Sequence, residues 1–317
     1  MSHRTPKIIL LIVLATFGAG AWFGAQVANR PPAVSNAIQV DGTTYPYTAA
    51  GVQAAINALN PPQGMGGSVM LPAVRIDLGS TGLTMRSHVC LIGVSTDSTW
   101  LTYNGPGTAI TFPNRMLNSC LRQLTVALGG SAGPNAQAID VHGDFNSRLE
   151  TIYNKIQDVS VYSSIIHPGQ IGIHLSGGGV PSSIQLSWFD TIKIANLDHP
   201  IVADGEEGNF WSNILVSGFS SVGVSDAASA DNFWQLRITG SPLETTSAVG
   251  FQEAGSINQI RVTCDMGRES LRACVNDTGG RNIWDVSTVS PLGRFASSSF
   301  ARIVGGAKMP SEFLVPK

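Results

Sequence analysis

Three basic residues occupy one position of a repeated sequence unit and are candidates for binding or catalysis. The unit is an apolar residue, two further residues, an apolar residue, one residue and a third apolar residue. Lys193, Arg237 and Arg261 each lie four positions after the first apolar residue of a unit. If the units are equivalent strands, these cations share one outer face, where they would bind an acidic ligand. The alternative interpretation is a solvated face with scattered charges.

Carboxylates lie close to the same face. Asp158 occupies the position two residues after the first apolar residue, and Asp190 lies one residue before that position in the next unit. Inverting hydrolysis of a glycosidic bond uses two carboxyl groups about 6.5–9.5 Å apart. Neighbouring strands can hold Asp158 and Asp190 at such a distance, so the pair is a second candidate for catalysis.

Polar and aromatic side chains on this face are candidates for substrate binding. Gln235 and Gln259 continue the polar position that Asp158 occupies. Trp234 and Trp284 point outward in this alignment and would stack on sugar rings. A shift of one residue in the register would instead bury both tryptophans, because successive side chains of a strand point to opposite faces.

A second group of polar residues follows another set of short apolar stretches. Asp204, Asp226 and Glu253 would gather at one corner, and they are candidate ligands for Ca²⁺, which takes six to eight oxygens. Acidic residues are also common in turns. His142 and His174 occupy equivalent positions in neighbouring repeats, either as a general base or as two structural side chains at a turn.

These candidates are positioned by an internal repeat. The first apolar residue of the unit falls at positions 121, 156, 189, 211, 233, 257 and 283, and a second short strand follows most units. In this alignment Trp211 and Phe233, from the phrases NFWSNILVSG and DNFWQLRITG, stack in one interior column. No amphipathic helix of normal length interrupts the strands, which argues against a βαβ fold. Short strands in stacked coils predict an all-β fold, a parallel β-helix solenoid.

The beginning of the solenoid resembles a known family. Residues 48–59 form a short amphipathic pattern that ends at Pro61, and it predicts a helix that caps the open edge of the solenoid. GGSVMLP, SHVCLIG and STWLTYNG follow within residues 66–105. Together these segments resemble the start of the right-handed parallel β-helices of the pectate-lyase superfamily, which includes glycoside-hydrolase-28-related and tailspike-like proteins.

The resemblance implies contact with a polysaccharide and leaves catalysis open. In the lyases of the family a basic residue removes a proton beside a uronate carboxylate, which Ca²⁺ or basic groups neutralise, so Lys193, Arg237 and Arg261 would belong to such a surface. The N-T-D, D-D, G-H-G and R-I-K motifs of the hydrolases are missing, however, as is the Arg-x-Pro-x-x-Arg pattern of the lyases. We therefore expect either a polysaccharide lyase or hydrolase, or a non-catalytic surface protein or adhesin, with a homotrimer as one open oligomeric state.

The sequence predicts four segments and export from the cytoplasm. Residues 1–30 are a signal peptide or a membrane anchor, because Arg4 and Lys7 precede an uncharged stretch, residues 8–28, that is long enough for either. Residues 31–65 form a lead segment that contains the capping helix, residues 66–305 form the β-helix and residues 306–317 form a C-terminal tail. We expect an extracytoplasmic protein that meets a membrane only through its N-terminal segment.

Composition and cysteines agree with this location. Only 13% of the residues are charged and the formal net charge is -2, so nothing indicates a nucleic-acid partner. Cys90 and Cys120 each precede a leucine of one column, and Cys264 and Cys274 lie in consecutive strands. Adjacent strands are about 4.8 Å apart, a distance that a disulfide can bridge. Two disulfides, Cys90–Cys120 and Cys264–Cys274, are therefore expected, with buried free thiols as the alternative.

Overall fold

The computed structural model describes residues 36–59, 66–143, 151–177, 184–227, 229–239, 248–265, 273–279, 281–288, 295–297 and 301–303. The predicted N-terminal signal or anchor and the C-terminal tail lie outside the described residues. Among the described residues, no helix is long and apolar enough to cross a membrane.

One helix and a series of short strands make up the described part of the chain. The helix α1 spans Ala49–Ala58. The strands, in chain order, are β1 Ala37–Gln39, β2 Gly67–Met70, β3 Arg75–Gly79, β4 Leu83–Thr84, β5 Val89–Ile92, β6 Trp100–Tyr103, β7 Thr108–Phe112, β8 Cys120–Leu128, β9 Gln137–His142, β10 Thr151–Ile152, β11 Lys155–Ser163, β12 Ile171–Ser176, β13 Ile184–Gln185, β14 Trp188–Leu197, β15 His199–Asp204, β16 Glu206–Glu207, β17 Phe210–Phe219, β18 Val222–Ala227, β19 Phe233–Thr239, β20 Val249–Glu253, β21 Gln259–Asp265, β22 Ala273–Asp277, β23 Ile283–Thr288, β24 Phe295–Ser297 and β25 Ala301–Ile303.

The strands form three parallel sheets that run along one solenoid. The first sheet has the order β1-β2-β5-β8-β11-β14-β17-β19-β21-β23-β25, with β3 and β6 joined to it at β8. The second sheet runs β24-β22-β20-β18-β15-β12-β9-β7-β4, and the third is the short β10-β13-β16. Each coil adds one strand to the first and second sheets in turn, and the predicted all-β parallel β-helix is confirmed.

Apolar columns fill the interior because alternate side chains of each strand point inward. One column of the first sheet is continuous over eight coils and consists of Leu91, Leu121, Ile156, Phe189, Trp211, Trp234, Ile260 and Trp284. The rings of Phe189 and Trp211 stack at 3.8 Å between centroids, and those of Trp211 and Trp234 at 4.4 Å. Repetition along the chain is therefore a repetition of core packing.

A left-handed residue explains the two-residue gap in the predicted unit. Gln123, Asp158, Thr191 and Asn213 all have φ between 52° and 55°. None of them has a partner in the register of its strand with the neighbouring strands. In β11 and β14, for example, Gln157 pairs with Asp190 and Val159 with Ile192, so Asp158 and Thr191 lie between two pairs. The predicted polar ladder is thus a row of bulge residues in these four coils.

The predicted register is wrong at the first position of β19 and again from β21 onward, whereas Leu236 and Ile238 pair with Ile214 and Val216 as predicted. The strand β19 lacks the bulge residue, so the register shifts between Trp211 and Ile214, and Trp211 pairs with Trp234. Phe233 pairs instead with Phe210. The predicted stack of Trp211 on Phe233 is therefore corrected to Trp211 on Trp234.

The same shift buries the two tryptophans that were predicted to bind sugar. Trp234 and Trp284 are both 0% exposed, whereas Ile257 and Ile283 are 48% and 60% exposed. Neither tryptophan is available to a ligand. Gln235 is paired with Arg261, and Gln259 with Phe233, so the two glutamines do not share a column.

The predicted capping helix is present as α1. Thr48 has extended backbone dihedral angles, and its Oγ1 accepts a hydrogen bond from the N–H of Gly51 at 3.2 Å, which satisfies one free N–H of the first turn. Gly51 is required there because a Cβ at this position would lie 2.1 Å from the carbonyl oxygen of Pro46. The helix packs against β2, β3 and β4 at the first coils.

Both predicted cysteine pairs are bonded. Cys90 lies opposite Cys120 in the register of β5 and β8, with 4.3 Å between the Cα atoms. Cys264 and Cys274 join β21 to β22 with 6.2 Å between the Cα atoms, and both are buried in the core. No cysteine of the chain is left free.

Candidate functional site

A groove lies on the outer face of the first sheet and encloses about 440 Å³. Its floor follows one column of the register, in which Trp100, Thr125, Ser160, Lys193 and Leu215 are successive partners. These residues come from β6, β8, β11, β14 and β17, so the groove runs across several coils. Of the predicted catalytic residues, Lys193 lines it.

Aromatic rings and a second cation form one side of the groove. The rings of Trp100 and Tyr162 meet edge to face at 6.3 Å between centroids, and Trp100 Nε1 donates to the carbonyl oxygen of Asp97 at 3.1 Å. The guanidinium carbon of Arg75 lies 5.1 Å from the centroid of the Trp100 ring, a cation–π contact. Arg75 was not among the predicted site residues.

The cations of this outer face differ in whether a carboxylate neutralises them. Arg237 forms an ion pair with Asp265 at 2.5 Å, and Arg261 forms one with Asp285 at 3.1 Å. In the part of the chain that the structure describes, no such pair engages Lys193 or Arg75. Lys193 and Arg75 therefore place unneutralised positive charge at the groove.

The three predicted basic residues do not share one column. Lys193 and Arg237 lie in the same column, on either side of Leu215. Arg261 lies opposite Gln235 and Asp285, and Arg237 lies opposite Thr263, because the register differs from the predicted one in these strands. The prediction of one shared column is wrong for Arg261.

Asp190 and Asp158 are not equivalent partners on adjacent strands. Asp190 lies opposite Gln157, while Asp158 is the left-handed bulge residue with φ 52°. The Asp190 carboxylate accepts hydrogen bonds from Ser212 Oγ at 2.6 Å and Asn213 Nδ2 at 3.0 Å. Partial burial raises the pKa of Asp190, but these hydrogen bonds outweigh it and hold the pKa below its usual range. A carboxylate held ionised in this way is unsuited to be a general acid.

The predicted Ca²⁺ ligands point to opposite sides of the second sheet. Asp226 and Glu253 are inside the solenoid, opposite each other in the register of β18 and β20, and are 1% and 0% exposed. The Asp204 side chain is 50% exposed on the outside. The structure therefore does not bring the three together, and no cluster suited to a metal ion occurs among the described residues.

Burial favours the protonated forms of the interior acids. Loss of hydration raises the pKa of Glu253 to about 10 and that of Asp226 to about 7, and it raises that of the buried Glu206 well above its usual range. Glu253 Oε1 accepts from the N–H of Gly255 at 2.6 Å and from Asn258 Nδ2 at 3.3 Å. Both carboxyl oxygens of Asp226 lack a hydrogen-bond partner among the described residues. These acids belong to the core.

A second polar cluster lies on the outer face of the second sheet. The register places His174 opposite Asp140, and Ser176 opposite His142, so the two histidines are not at equivalent positions as predicted. His142 Nε2 is 2.6 Å from Asp140 Oδ2, and His174 Nδ1 is 3.4 Å from Asp140 Oδ1. On its other side, His174 Nε2 is 3.5 Å from Asp204 Oδ2.

Charges in this cluster are mutually stabilised. Burial would raise the pKa of Asp140, yet the hydrogen bonds with His142 and His174 lower it below its usual range. The hydrogen bond with Asp140 raises the pKa of His142. Burial lowers the pKa of His174, but hydrogen bonds with Asp140 and Asp204 prevail and raise it to about 9. The histidine pattern was visible in the sequence, whereas Asp140 and Ser176 were missed.

An exposed row of aromatic rings also follows the coils. Trp188 stacks between Tyr153 and Phe210, with centroids 6.3 Å and 6.1 Å away and ring planes 20° and 10° apart. The faces of these rings cover one another along the row. A sugar ring therefore cannot stack on the face of Trp188, which makes the row a poor platform for a saccharide.

Comparisons with known proteins find similar chain folding in several solved structures. The A-module of mannuronan C-5 epimerase AlgE6 of Azotobacter vinelandii is 15% identical over 83% of this chain and 92% of its own, with a TM-score of 0.43. The AlgE4 A-module of the same organism is 14% identical over 80% and 69%, with a TM-score of 0.47. Tailspike protein 2 of the Escherichia coli O157:H7 bacteriophage CAB120 is 11% identical over 80% and 39%, with a TM-score of 0.46.

No family model matches the chain, and no curated protein matches its sequence. At these identities and TM-scores the structural likenesses do not establish a shared activity.

Proposed function

We propose that this protein binds an acidic polysaccharide in the groove on the outer face of the first sheet. The observation that carries the proposal is that Lys193 and Arg75, both exposed, line the groove without a carboxylate partner among the described residues, beside the rings of Trp100 and Tyr162. Carboxylate or sulfate groups of a glycan would bind the two cations, and charge-assisted hydrogen bonds are the strong ones.

The shape of the groove agrees with a saccharide ligand. Its volume of about 440 Å³ is in the range of small-ligand pockets, and its floor contains the hydroxyl group of Ser160, whereas the hydroxyl of the buried Thr125 donates to the carbonyl oxygen of Thr96 at 2.6 Å. An apolar ring beside hydroxyl and cationic groups suits a sugar, which has apolar faces and a polar rim. Since the floor crosses successive coils, a longer chain would extend along the solenoid axis.

The test is isothermal titration calorimetry of the purified chain with matched oligosaccharides. An oligouronate should bind and a neutral oligosaccharide of equal length should not, and the affinity should fall as the salt concentration rises. Equal binding of both ligands, or binding that salt leaves unchanged, would overturn the proposal.

Catalysis on the bound glycan is a further part of this proposal. Lys193 is the predicted base that lies in the groove, whereas ion pairs occupy Arg237 and Arg261. Lyase activity would produce the ultraviolet absorbance of an unsaturated uronate, and hydrolase activity would produce reducing ends without that absorbance. If neither product forms across a panel of acidic glycans, with Ca²⁺ and with a chelator, the protein is a non-catalytic binder.

We also propose that the protein acts outside the cytoplasm. Two disulfides support this location, since such bonds persist in oxidising compartments. Residues 1–30 would direct the export, as a cleaved signal or as a retained anchor. Mass spectrometry of the exported chain would show its N-terminus, and a chain found only in the cytoplasm with reduced cysteines would contradict the proposal.

A further inference from the structure

A serine, a histidine and an aspartate are hydrogen-bonded in sequence on the outer face of the second sheet. Ser176 Oγ lies 3.2 Å from His142 Nδ1, and His142 Nε2 lies 2.6 Å from Asp140 Oδ2. The two nitrogens of one imidazole thus contact a hydroxyl and a carboxylate. A nucleophile within reach of a base, with the base oriented by a third group, is the arrangement that activates serine in covalent catalysis.

Two neighbouring strands hold the three residues in place. Asp140 and His142 are alternate residues of β9 and therefore share a face, and Ser176 of β12 lies opposite His142 in the register. The Asp140 side chain is only 7% exposed, whereas that of His142 is 43% exposed. The orienting carboxylate is therefore buried and the base is open to solvent, as a reaction with an external ligand requires.

We propose that Ser176 is a nucleophile for the acyl esters of small alcohols or sugars, with His142 as its general base and Asp140 as the residue that orients His142. This goes beyond glycan binding, because the three residues lie on another sheet than the groove. Ser176 Oγ bonds to the ester carbonyl carbon and gives its proton to His142 Nδ1. The bond to the alkoxy oxygen then breaks, and His142 returns that proton to the leaving alcohol. Water next attacks the acyl-serine through His142, which frees the carboxylic acid and restores Ser176.

The protonation state of His142 decides whether the Ser176 hydroxyl can donate its proton to the imidazole. Ser176 Oγ is also 3.1 Å from Asp140 Oδ1. When His142 is protonated, the hydroxyl can donate only to this carboxylate or to the carbonyl oxygen of Val141, which is 3.4 Å away. When His142 is neutral, with its proton on Nε2 toward Asp140, its Nδ1 can accept from Ser176. The pKa of His142 is raised by the hydrogen bond with Asp140, so the reaction should become faster as the pH rises.

Among the described residues, the other charged groups that face this site are His174 of β12 and Asp204 of β15. His174 precedes Ser176 by two residues on the same face, so the two Cα atoms are about 6.6 Å apart. With its pKa raised to about 9, His174 carries positive charge at neutral pH near the position where negative charge develops on the ester oxygen. Asp204 accepts from His174 and keeps that ring in place.

The experiment is covalent labelling of the full chain with a fluorophosphonate probe. We expect one probe molecule per chain, and peptide mapping of the unaltered protein should place it on Ser176. Ser176→Ala should abolish labelling, and His142→Ala should slow it by about 10²-fold or more. The matched control is Ser225→Ala, since Ser225 is a partly exposed serine of the same sheet that lies opposite Val202, and it should label as the unaltered chain does.

Turnover of p-nitrophenyl acetate gives a second readout. Its rate should rise with pH and vanish in Ser176→Ala, while glycan binding in the groove of that variant stays unchanged. Failure of the unaltered protein to take up the probe, under conditions that label a known serine hydrolase, would overturn the proposal. A probe mapped to another residue, or a rate unaffected by His142→Ala, would overturn it as well.

Discussion

Replacing the buried Glu253 by glutamine should change how the stability of the solenoid depends on pH. Glu253 is 0% exposed and lies opposite Asp226 inside the wall. Burial raises its pKa to about 10 from the ordinary value of 4.5. In the folded protein Glu253 therefore keeps a proton that the unfolded chain releases above about pH 4.5.

The sign and size of the effect follow from this difference. A folded state that binds more protons loses stability as the pH rises, by about 1.4 kcal/mol per pH unit for one proton. The contribution of Glu253 is complete below pH 4.5 and declines through the window up to about pH 10. Between pH 5 and pH 7 the decline for Glu253 alone is about 2.7 kcal/mol, a large part of a typical total of about 5–15 kcal/mol.

The assay is urea unfolding at half-unit steps from pH 5 to pH 8. Glu253→Gln keeps the shape of the side chain but has no proton to release, so its stability should gain on that of the unaltered chain by up to about 1.4 kcal/mol per pH unit, because the adjacent Asp226 also has a raised pKa and titrates together with Glu253. His174 has a pKa raised to about 9, so its stabilising contribution declines between about pH 6.5 and pH 9, and this decline is common to both proteins and cancels in the difference. Glu207→Gln, on the outer side next to the buried Glu206, is the matched control. A constant difference between Glu253→Gln and the unaltered chain would refute the reasoning.

Two further substitutions test the register of the core. Trp234→Ala removes a fully buried ring that stacks on Trp211 at 4.4 Å, and it should lower the free energy of unfolding in urea by about 3–5 kcal/mol. Trp188→Ala, at a residue that is 37% exposed, should cost much less. Equal costs would place Trp234 on the surface. Asn232→Ala leaves the buried N–H of Asn209, which donates to Asn232 Oδ1 at 2.8 Å, without a partner and should cost about 1–3 kcal/mol. A loss below about 0.5 kcal/mol, within the range of ordinary surface substitutions, would show that this N–H finds another acceptor.

The fold could be predicted because core packing repeats in the sequence. Every coil needs an inward apolar residue at the same place, and this requirement made the units from position 121 onward visible. The first position of the unit was misaligned in β19, since the left-handed residue is absent from this strand and a fixed spacing then selects Phe233 instead of Trp234. The shared letters Asn-Phe-Trp at 209–211 and 232–234 were the better guide, because they align as the structure does.

The candidate site was predictable only in part. Lys193 lies on the outer face as expected, but its neighbours Arg75 and Trp100 come from coils more than 90 residues earlier. Nothing in a linear pattern shows that Asp265 and Asp285 neutralise the other two cations. The acids of the core were unexpected for a different reason: Asp226 and Glu253 were placed at a corner, whereas β18 and β20 continue through them, so the alternation that turns Val224 and Phe251 inward turns both acids inward as well.

Affinity for an acidic oligosaccharide in matched charge variants tests the central claim most directly. Lys193→Gln removes an unneutralised cation of the groove, and Arg237→Gln removes a cation of the same column that Asp265 already pairs. We predict that Lys193→Gln weakens binding of an oligouronate about tenfold, corresponding to about 1.4 kcal/mol, and that Arg237→Gln changes it by less than about twofold. Equal losses in the two variants, or no loss in Lys193→Gln, would contradict the assignment of the groove as the glycan site.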